Sequence, residues 1–403
     1  MSSKFAFDDP QDALLALSER LHVVCETRET NDPLGRVLAM PVLADRDSPA
    51  ADVSAMDGYA IRMQDLKSDV AIPISGESKA GAAPPSLQSG SVVRIFTGAI
   101  VPKEAEAVIK REDTEESETE IRFRETALKT TKSGIHIRRA GENAAVGSQV
   151  LPAATVVTPG VMAALANFGA TTPTVFRSVR IAIFTTGDEV RDPREKHLEP
   201  WQLRNSNRYS VESVVRCGAP RVEIAAGEGH LPDNRGSLEF ALGEAIKHCD
   251  AIVLTGGVSK GDYDYVPECI AAVGGETIFH GLPIRPGKPI LGAATNEGKL
   301  ILGLPGNPVS ATINAHRFLL PLLRKLSGQA RWCIAPPVVE LEEPPAKSIP
   351  LHTMQLVERM DPGRVRLIAS KGSGDLVALA KSDGYVSVTP GSTSAGPWPF
   401  FSW

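Results

Sequence analysis

The sequence predicts a multidomain α/β protein that also carries β-rich modules. At 403 residues the chain exceeds the ~250–300 residues at which one hydrophobic core stops growing, so we expect several domains. From residue 179 onwards, apolar runs alternate with amphipathic stretches, which is typical of a mostly parallel sheet with helices on both faces. Before that point, short alternating runs separated by glycines indicate a β-rich region.

These patterns divide the chain into four regions. Helical stretches in 1–50 and 145–178 predict an elongated helical and linker domain. Residues 51–144 predict a β-rich domain inserted between its two halves, and residues 179–328 predict a three-layer α/β domain. After Ala335-Pro336-Pro337, short runs in 335–403 predict a small C-terminal β domain that ends in an aromatic tail.

Two helices are expected on either side of the insertion. The first covers residues 10 to about 23, where alanine and leucine share one helical face. The second begins at Pro159 and stops at Gly169. If the second packs on the first, the β-rich domain interrupts a single helical layer. Within that domain, the acidic run at 112–116 predicts an exposed turn.

The α/β domain has a regular order of elements. Its predicted strands are 180–184, 222–225, 251–255 and 300–304. Its predicted helices are 206–217, 233–248, 265–273 and 309–326. Ligands of such sheets bind at the carboxyl ends of the strands, so the turns that follow the strands are the places to look for a site.

Three glycine-rich turns lie in this domain: TGGVSKGD at 255–262, IRPGKP at 284–289 and LPGNPVS at 304–310. Glycine lets the backbone approach a ligand closely, and a helix that follows offers free N–H groups to an anion. Three such turns in one domain, with Lys288 and Ser310 among them, predict a pocket for a phosphorylated ligand or an oxyanion. Arg285 adds a second cation to this prediction.

Carboxylates gather beside these turns. Asp188 and Glu189 follow a strand and a glycine, and Asp262 and Asp264 follow the first turn. Mg²⁺ binds a few carboxylates together with phosphate oxygens, so the two pairs predict a magnesium-assisted reaction at phosphate. Charge pairing with a helix N-terminus explains either pair equally well when it is taken alone. The convergence of both pairs on one sheet edge favours the site.

The β-rich domain contains a second cluster, formed by SAMDGYA at 54–60, TGA at 97–99 and RRAGEN at 138–143. Arg138 or Arg139 could bind phosphate, although their spacing favours pairing with surface acids. Asp57 could simply satisfy its own turn. Sequence spacing alone does not join this cluster to the α/β site.

Composition excludes several classes of function. A net charge of −5 and a pI near 6.0 argue against general nucleic-acid binding. No apolar stretch is long enough to span a membrane, and the first residues lack a signal-peptide core, so a cytoplasmic protein is expected. The five cysteines are scattered; they predict buried apolar side chains and neither a zinc site nor a disulfide framework.

The ordered set of motifs resembles the molybdopterin molybdenumtransferase family, known as MoeA and as the gephyrin E domain. The motifs that carry the resemblance are SAMDGYA, TGA, RAGE, TGDE, TGGVS, PGKP and LPGNPVS, which span nearly the whole chain. Each is short, but their order is highly specific. The resemblance implies an elongated helical layer, an inserted β-rich domain, an α/β molybdopterin-binding domain and a C-terminal β domain.

The family reaction takes adenylylated molybdopterin and molybdate, releases AMP and leaves molybdenum on the dithiolene, with Mg²⁺. The implied catalytic residues are Asp57, Thr97, Glu142, Asp188, Glu189, Asp233 and Asp264, of which Glu189 and Asp264 are the metal ligands. The implied substrate-binding residues are Thr186, Gly187, Gly256, Gly257, Ser259, Arg285, Lys288, Gly306, Asn307 and Ser310. Molybdate and tungstate, both tetrahedral dianions, fit this prediction equally.

The resemblance also implies partners. The family works as a homodimer in which the β-rich domain of one subunit faces the α/β domain of the other. Further implied partners are the adenylyltransferase of the same pathway and the molybdoenzymes that accept the cofactor. A non-catalytic molybdopterin-binding or scaffold protein is the alternative, although its carboxylates beside phosphate would then have no use.

Two positions depart from the family pattern. Asn143 stands where the family commonly has aspartate, so one carboxylate is missing. Lys260 stands where an apolar residue is common, and it adds a cation beside the first turn.

Overall fold

A computed structural model of the protein describes residues 5–67, 70–219, 221–226, 229–258 and 265–403. The chain forms two compact units. The β-rich unit comprises Pro41–Pro152 with Gly160–Thr171, and the α/β unit comprises Met1–Met40, Ala153–Pro159 and Thr172–Trp403.

The β-rich unit is built on a six-stranded sheet. The strand order is Ala107–Lys110, Gly58–Ile61, Val92–Ile95, Ile72–Ser78, Glu120–Phe123 and Thr114–Glu116. Successive apolar residues of these runs enter two different buried clusters: one contains Tyr59, Ile61, Ile109 and Ile121, and the other contains Ala60, Val93, Ile95 and Val108. The period of two in these runs therefore predicts the strands correctly.

Shorter elements complete the β-rich unit. Val53–Ser54 pairs with Ile137–Arg138, and Val42–Leu43 pairs with Gln149–Leu151. The helices are Glu125–Thr130 and Pro159–Asn167, with single 3₁₀ turns at Met63–Asp65 and Arg111–Asp113. The second helix begins at the predicted proline, and Gly169 follows it with a φ of +69°.

The prediction of an exposed turn at 112–116 is wrong for its second half. Thr114–Glu116 is an edge strand, because the buried Thr114 continues the sheet after the 3₁₀ turn. The Glu116 carboxylate accepts a hydrogen bond from the Tyr59 hydroxyl at 2.5 Å and pairs with Arg111. Burial, with the help of this bond, raises the pKa of Tyr59 to about 12.

The α/β unit contains a seven-stranded sheet. The strand order is Glu223–Ile224, Arg180–Thr186, Ala251–Thr255, Leu300–Leu304, Leu291–Thr295 and Gly275–His280, and His230–Leu231 also pairs with Arg180–Thr186. The strands at the Arg180–Thr186 end run parallel, and the last two are antiparallel. Ala251–Thr255 is buried along its whole length, as a central parallel strand requires.

The helices of this unit are Ser206–Gly218, Arg235–His248, Val266–Ala272, Pro308–Asn314, Leu320–Leu326 and Leu376–Ala380. Asn205 and Asn234 cap two of them by accepting from Arg208 N and Ser237 N. The single helix predicted for 309–326 has a π-helical segment in its middle, Ala315–Leu319. Pro321 has no N–H to continue the hydrogen-bond ladder, which accounts for an irregularity at this point.

The first helix, Pro10–Glu19, is shorter than predicted. Its buried face, with Leu14 and Leu17, belongs to the same core as Phe279 and Leu300 of the seven-stranded sheet. The packing of the second helix on the first stays a prediction. In the same unit, Thr27–Glu29 pairs with Thr174–Phe176.

The C-terminal region is a small β domain, as predicted. Its strands follow the order Ile284–Arg285, His352–Arg359, Arg364–Leu367, Val338–Leu341, Trp398–Ser402 and Gly384–Val388. Gly384–Val388 also pairs with His352–Arg359, so five of the strands close into a barrel. Trp398 and Phe400 of the aromatic tail are buried in this barrel.

The cysteines are all free, but only Cys249 and Cys269 are buried, and burial raises the pKa of both thiols. The prediction of burial is wrong for Cys25, Cys217 and Cys333, which are exposed on the surface. Among the residues that the structure describes, every helix is too short or too polar to cross a membrane.

Candidate active site

A cleft of about 920 Å³ opens at the carboxyl edge of the α/β sheet. Three neighbouring parallel strands end at this cleft, and the turns that follow them line it: Arg180–Thr186, Ala251–Thr255 and Leu300–Leu304. The sequence-predicted residues that line the cleft are Thr186, Gly187, Glu189, Asp233, Gly256, Gly257, Gly306 and Asn307. The structure thus brings together eight residues that lie up to 121 positions apart in the sequence, from Thr186 to Asn307.

Glycine is required where these turns approach their neighbours. Gly256 has a φ of +94°, and a Cβ at this position would lie 2.7 Å from Thr186 Oγ1. Gly287, in the PGKP turn, has a φ of +98°, and a Cβ there would lie 1.7 Å from Asn314 Nδ2. A side chain at either position would displace the turn that the cleft depends on.

Two polar atoms in the cleft wall have no hydrogen-bond partner in the part of the chain that the structure describes. Thr186 Oγ1 and Asn207 Oδ1 are buried, and neither has a hydrogen-bond partner among the described residues. The Asn207 side chain is fixed through its amide nitrogen, because Nδ2 donates to Gly306 O at 2.7 Å. Buried polar groups are nearly always satisfied, so these two atoms are the natural contacts for a polar ligand.

Asn207 was missed in the sequence analysis. It lies in the first turn of helix Ser206–Gly218, directly after the short strand Leu203–Arg204. The available signal was the polar run NSN at 205–207, which begins a helix next to the sheet edge. Such a run is also the ordinary signature of a helix cap, so it does not single out a ligand-binding residue.

The carboxylates of the cleft lie close together. Asp233 N donates to Asp188 Oδ1 at 3.2 Å. Burial raises the pKa of Asp233, and the negative charges of Asp188 and Glu189 raise it further. The Thr186 hydroxyl lies close enough to Asp233 to oppose this effect, although it makes no hydrogen bond of ordinary geometry. Oxygen donors of this kind are the ligands that Mg²⁺ prefers.

Several predicted residues lie outside the residues that the structure describes: Ser259, Lys260, Asp262 and Asp264. Among the described residues, no group of three or more histidine, cysteine, aspartate or glutamate side chains has a metal-binding arrangement. The proposed metal pair of Glu189 with Asp264 therefore stays a prediction.

The PGKP turn packs on the helix that begins in the LPGNPVS turn. Gly287 lies directly on Asn314, one helical turn after Ser310, whose carbonyl accepts from Asn314 Nδ2 at 2.8 Å. Lys288 is exposed, and its Nζ lies 5.5 Å from the centre of the Phe5 ring. Arg285 is also exposed and belongs to the strand that pairs with His352–Arg359. An oxyanion site formed by Lys288 and Ser310 stays a prediction.

The β-rich unit holds its own polar cluster. Both the backbone nitrogen and the hydroxyl of Thr97 donate to Asp57, and these bonds lower the pKa of Asp57. Arg138 donates to Glu142 Oε1 at 2.5 Å and to Asn143 Oδ1 at 2.9 Å. The bond from Arg138, reinforced by Arg139 N, lowers the pKa of Glu142.

Arg139 pairs with Asp52 at 2.5 Å. Both arginines of the RRAGEN loop therefore pair with nearby acids, as their spacing favoured.

Comparison with known proteins places this geometry in a family. Residues 8–169 match the family description "MoeA N-terminal region (domain I and II)", and residues 182–325 match "Probable molybdopterin binding domain". The chain is 35% identical over 305 residues to the molybdopterin molybdenumtransferase of Nostoc sp., covering 74% of this chain and 68% of that protein. The chain belongs to the MoeA family of molybdopterin molybdenumtransferases.

Other MoeA relatives extend the match. The molybdopterin molybdenumtransferase of Haemophilus influenzae is 33% identical over 319 residues, which are 78% of this chain and 76% of that protein. The relative from Synechocystis sp. is 28% identical over 391 residues, 94% of this chain and 95% of that protein. A crystal structure of the molybdopterin biosynthesis moeA protein from Pyrococcus horikoshii has the same fold, with a TM-score of 0.81 at 24% identity over 97% of this chain and 98% of that one.

Proposed function

We propose that this MoeA-family protein inserts molybdate into adenylylated molybdopterin and releases AMP, and that the reaction depends on Mg²⁺. The observation that carries the proposal is the cleft at the carboxyl edge of the α/β sheet. It combines two polar atoms that have no hydrogen-bond partner among the described residues, on Thr186 and Asn207, with the carboxylates of Glu189 and Asp233, and Asp188 accepts a hydrogen bond from Asp233 N. A phosphorylated, hydrogen-bonding substrate and a hard cation match these groups.

The residues divide into roles within this proposal. Gly256 and Gly257 let the protein backbone approach the substrate closely, while Thr186 and Asn207 supply hydrogen bonds that orient the substrate. Asp233, whose pKa is raised, is the carboxyl best suited to hold a proton during phosphate cleavage. Glu189 would hold the Mg²⁺ together with Asp264, the ligand pair that the resemblance implies, and the ion when bound would neutralise phosphate charge.

The proposal includes a homodimer in which Asp57, Thr97 and Glu142 of one subunit face the α/β cleft of the other. Its support is the family membership and the polar cluster that these residues form in the β-rich unit. The adenylyltransferase of the pathway and the acceptor molybdoenzymes are further proposed partners.

AMP release is the deciding measurement. The purified protein is incubated with adenylylated molybdopterin, molybdate and Mg²⁺, and AMP is quantified over time. We expect molybdate-dependent and Mg²⁺-dependent release that Asp233→Asn abolishes. Tight substrate binding without AMP release would instead establish the non-catalytic, scaffold alternative.

Mixing two inactive variants tests the shared site. In an equal random mixture of Asp57→Asn and Asp233→Asn, half of the dimers are hybrids with one intact site of two, so about a quarter of wild-type activity should return. Asp57→Asn mixed with Glu142→Gln, both in the β-rich unit, should recover nothing. Equal recovery in both mixtures, or full activity of a monomer in sedimentation, would contradict the dimer.

A further inference from the structure

Arg36 is a buried cation that makes no ion pair with a carboxylate of the described residues. Only 9% of its surface is exposed, and its guanidinium donates from Nε to Asp32 O and from Nη1 to Ser178 Oγ, both at 3.1 Å. Both acceptors are uncharged. None of the ion pairs among the described residues includes Arg36. A buried charge in this state is costly unless a counter-ion accompanies it.

The two carboxylates whose charges act on Arg36, Asp32 and Glu223, both pair with other arginines. Asp32 pairs with Arg221 at 2.7 Å, and Glu223 lies 3.5 Å from Arg180 Nε. Burial is the main cause that lowers the pKa of Arg36; the charges of Arg28 and Arg221 lower it further, and those of Asp32 and Glu223 oppose this only in part. Arg177, which lines the same cavity, is itself paired with Asp250 and Glu26.

A small cavity adjoins this cation. Its lining combines three arginines and two serines with three apolar residues: Arg36, Val37, Phe176, Arg177, Ser178, Val179, Arg221 and Ser327. The free volume of the cavity is about 10 Å³, which is room for one small particle. A space of this size suits a monatomic anion such as chloride better than a tetrahedral anion such as phosphate, sulfate or molybdate.

We propose that this cavity binds one chloride ion as the counter-ion of Arg36. The Ser178 hydroxyl accepts from Arg36 and keeps its own hydrogen to donate to the ion. The ion joins three separate parts of the α/β unit: the loop at 32–37, the segment at 176–179 that precedes the first sheet strand, and Ser327 at the end of helix Leu320–Leu326. Its role is to stabilise the fold, and it is independent of the proposed reaction.

Chloride-dependent stability tests the proposal. The thermal midpoint Tm of the full chain is measured in sodium chloride and in sodium gluconate at equal ionic strength. We expect Tm to rise by a few degrees with chloride and to saturate, because a ligand that binds only the folded state stabilises it by mass action. Arg36→Met should remove this difference, whereas Arg216→Met, at an exposed helical arginine, should keep it. Equal Tm values in the two salts for the wild type would overturn the proposal.

A second measurement covers the case in which Arg36→Met does not fold. Wild-type crystals grown in bromide are examined by anomalous diffraction, and Ser178→Ala is compared in the two salts. We expect an anomalous peak between Arg36 and Ser178, and a weaker chloride response for Ser178→Ala. A cavity without anomalous signal would show that it holds water, and would refute the chloride site.

Discussion

Thr97 donates two hydrogen bonds to the same oxygen of Asp57, from its backbone nitrogen at 2.8 Å and from its hydroxyl at 2.7 Å. These two bonds are the main reason why the pKa of Asp57 is lowered, and the charge of Arg111 acts in the same direction. The carboxylate form of Asp57 is therefore favoured, which suits it to bind a cation and not to donate a proton.

Thr97→Val should weaken AMP release by roughly tenfold, because it removes the hydroxyl donor while the backbone donor and the side-chain shape remain. The lowered pKa means that the Asp57 carboxylate is fully present above its ordinary value of about 3.9 and is lost as the pH falls through the lower folded value. Without the hydroxyl the pKa rises, so the acid limb of the pH–activity profile should move to higher pH. Thr97→Ser should restore the profile. An identical acid limb in all three proteins would contradict this role.

Gly256→Ala should destabilise the protein by about 1–3 kcal/mol and abolish substrate binding. The cause is the backbone φ of +94° together with a Cβ only 2.7 Å from Thr186 Oγ1. Gly243→Ala is the matched control: Gly243 lies inside helix Arg235–His248 with open space around it, so alanine should stabilise by about 1 kcal/mol. Chemical denaturation gives the two stabilities. Similar effects of both substitutions would mean that the turn tolerates a side chain.

His316 should make stability depend on pH. Its Nδ1 lies 3.2 Å from the Tyr385 hydroxyl, and the Tyr385 and Trp403 rings pack edge-on against it. Burial lowers the pKa of His316 to about 4, and the charges of Arg324 and Arg317 act in the same direction. Below pH 6.5 His316 is protonated in the unfolded chain but stays neutral in the folded chain. The free energy of unfolding therefore falls as the pH drops from 6.5 towards 4.

The expected loss is at most about 1.4 kcal/mol per pH unit across this window. Urea midpoints of the wild type and of His316→Gln, compared between pH 7 and pH 5, measure it. The variant should lose part of the pH dependence, and His248→Gln, at an exposed histidine of another helix, should retain all of it. A pH response that His316→Gln leaves unchanged would assign the effect to other groups.

The turns that form the cleft could be predicted from the sequence, whereas the packing and pairing of elements far apart in the sequence could not. The turns at Gly256 and Gly306 follow apolar runs, and parallel pairing places them at one edge, so their convergence follows from the pattern. The burial of the first helix against Phe279 does not follow, because a leucine face specifies an apolar partner but not which one. The pairing of Arg285 with Thr353 could not be predicted from the sequence either, because strand pairing depends on tertiary context more than on the β propensity of the residues.

Lys288→Ala should raise the molybdate concentration needed for half-maximal AMP release by roughly tenfold, and it should affect pterin binding less. The reason is that Lys288 is an exposed cation next to Gly287, which packs on Asn314, whose amide donates to the Ser310 carbonyl. Phe5→Leu is the control for its second contact, because it removes the ring 5.5 Å from the ammonium but leaves the charge. Molybdate titrations of AMP release by the wild type, Lys288→Ala and Phe5→Leu measure these half-maximal concentrations. An unchanged requirement in Lys288→Ala would move the oxyanion site elsewhere.

Asn143→Asp restores the carboxylate that is common in the family, and we expect no gain in activity. Arg138 already holds Asn143 Oδ1 at 2.9 Å while it binds Glu142 at 2.5 Å, so a new carboxylate would pair with the same guanidinium. A carboxylate engaged in this way is a poorer ligand for Mg²⁺ than a free one. The midpoint of a Mg²⁺ titration of AMP release should therefore be the same for the wild type and for Asn143→Asp.

Removing Arg138 as the partner of the new carboxylate at position 143 distinguishes ion pairing from Mg²⁺ binding. In the double variant Arg138→Gln with Asn143→Asp, the new charge has lost its partner, and the Mg²⁺ midpoint should fall if position 143 can reach the metal. Arg138→Gln alone supplies the control, so that the coupling between the two substitutions is measured and not assumed. Lys260→Ala, at the other departure from the family pattern, is titrated in parallel. If Asn143→Asp alone lowers the Mg²⁺ midpoint of AMP release, pairing with Arg138 does not explain why asparagine is tolerated at this position. Position 143 would then bind Mg²⁺ directly.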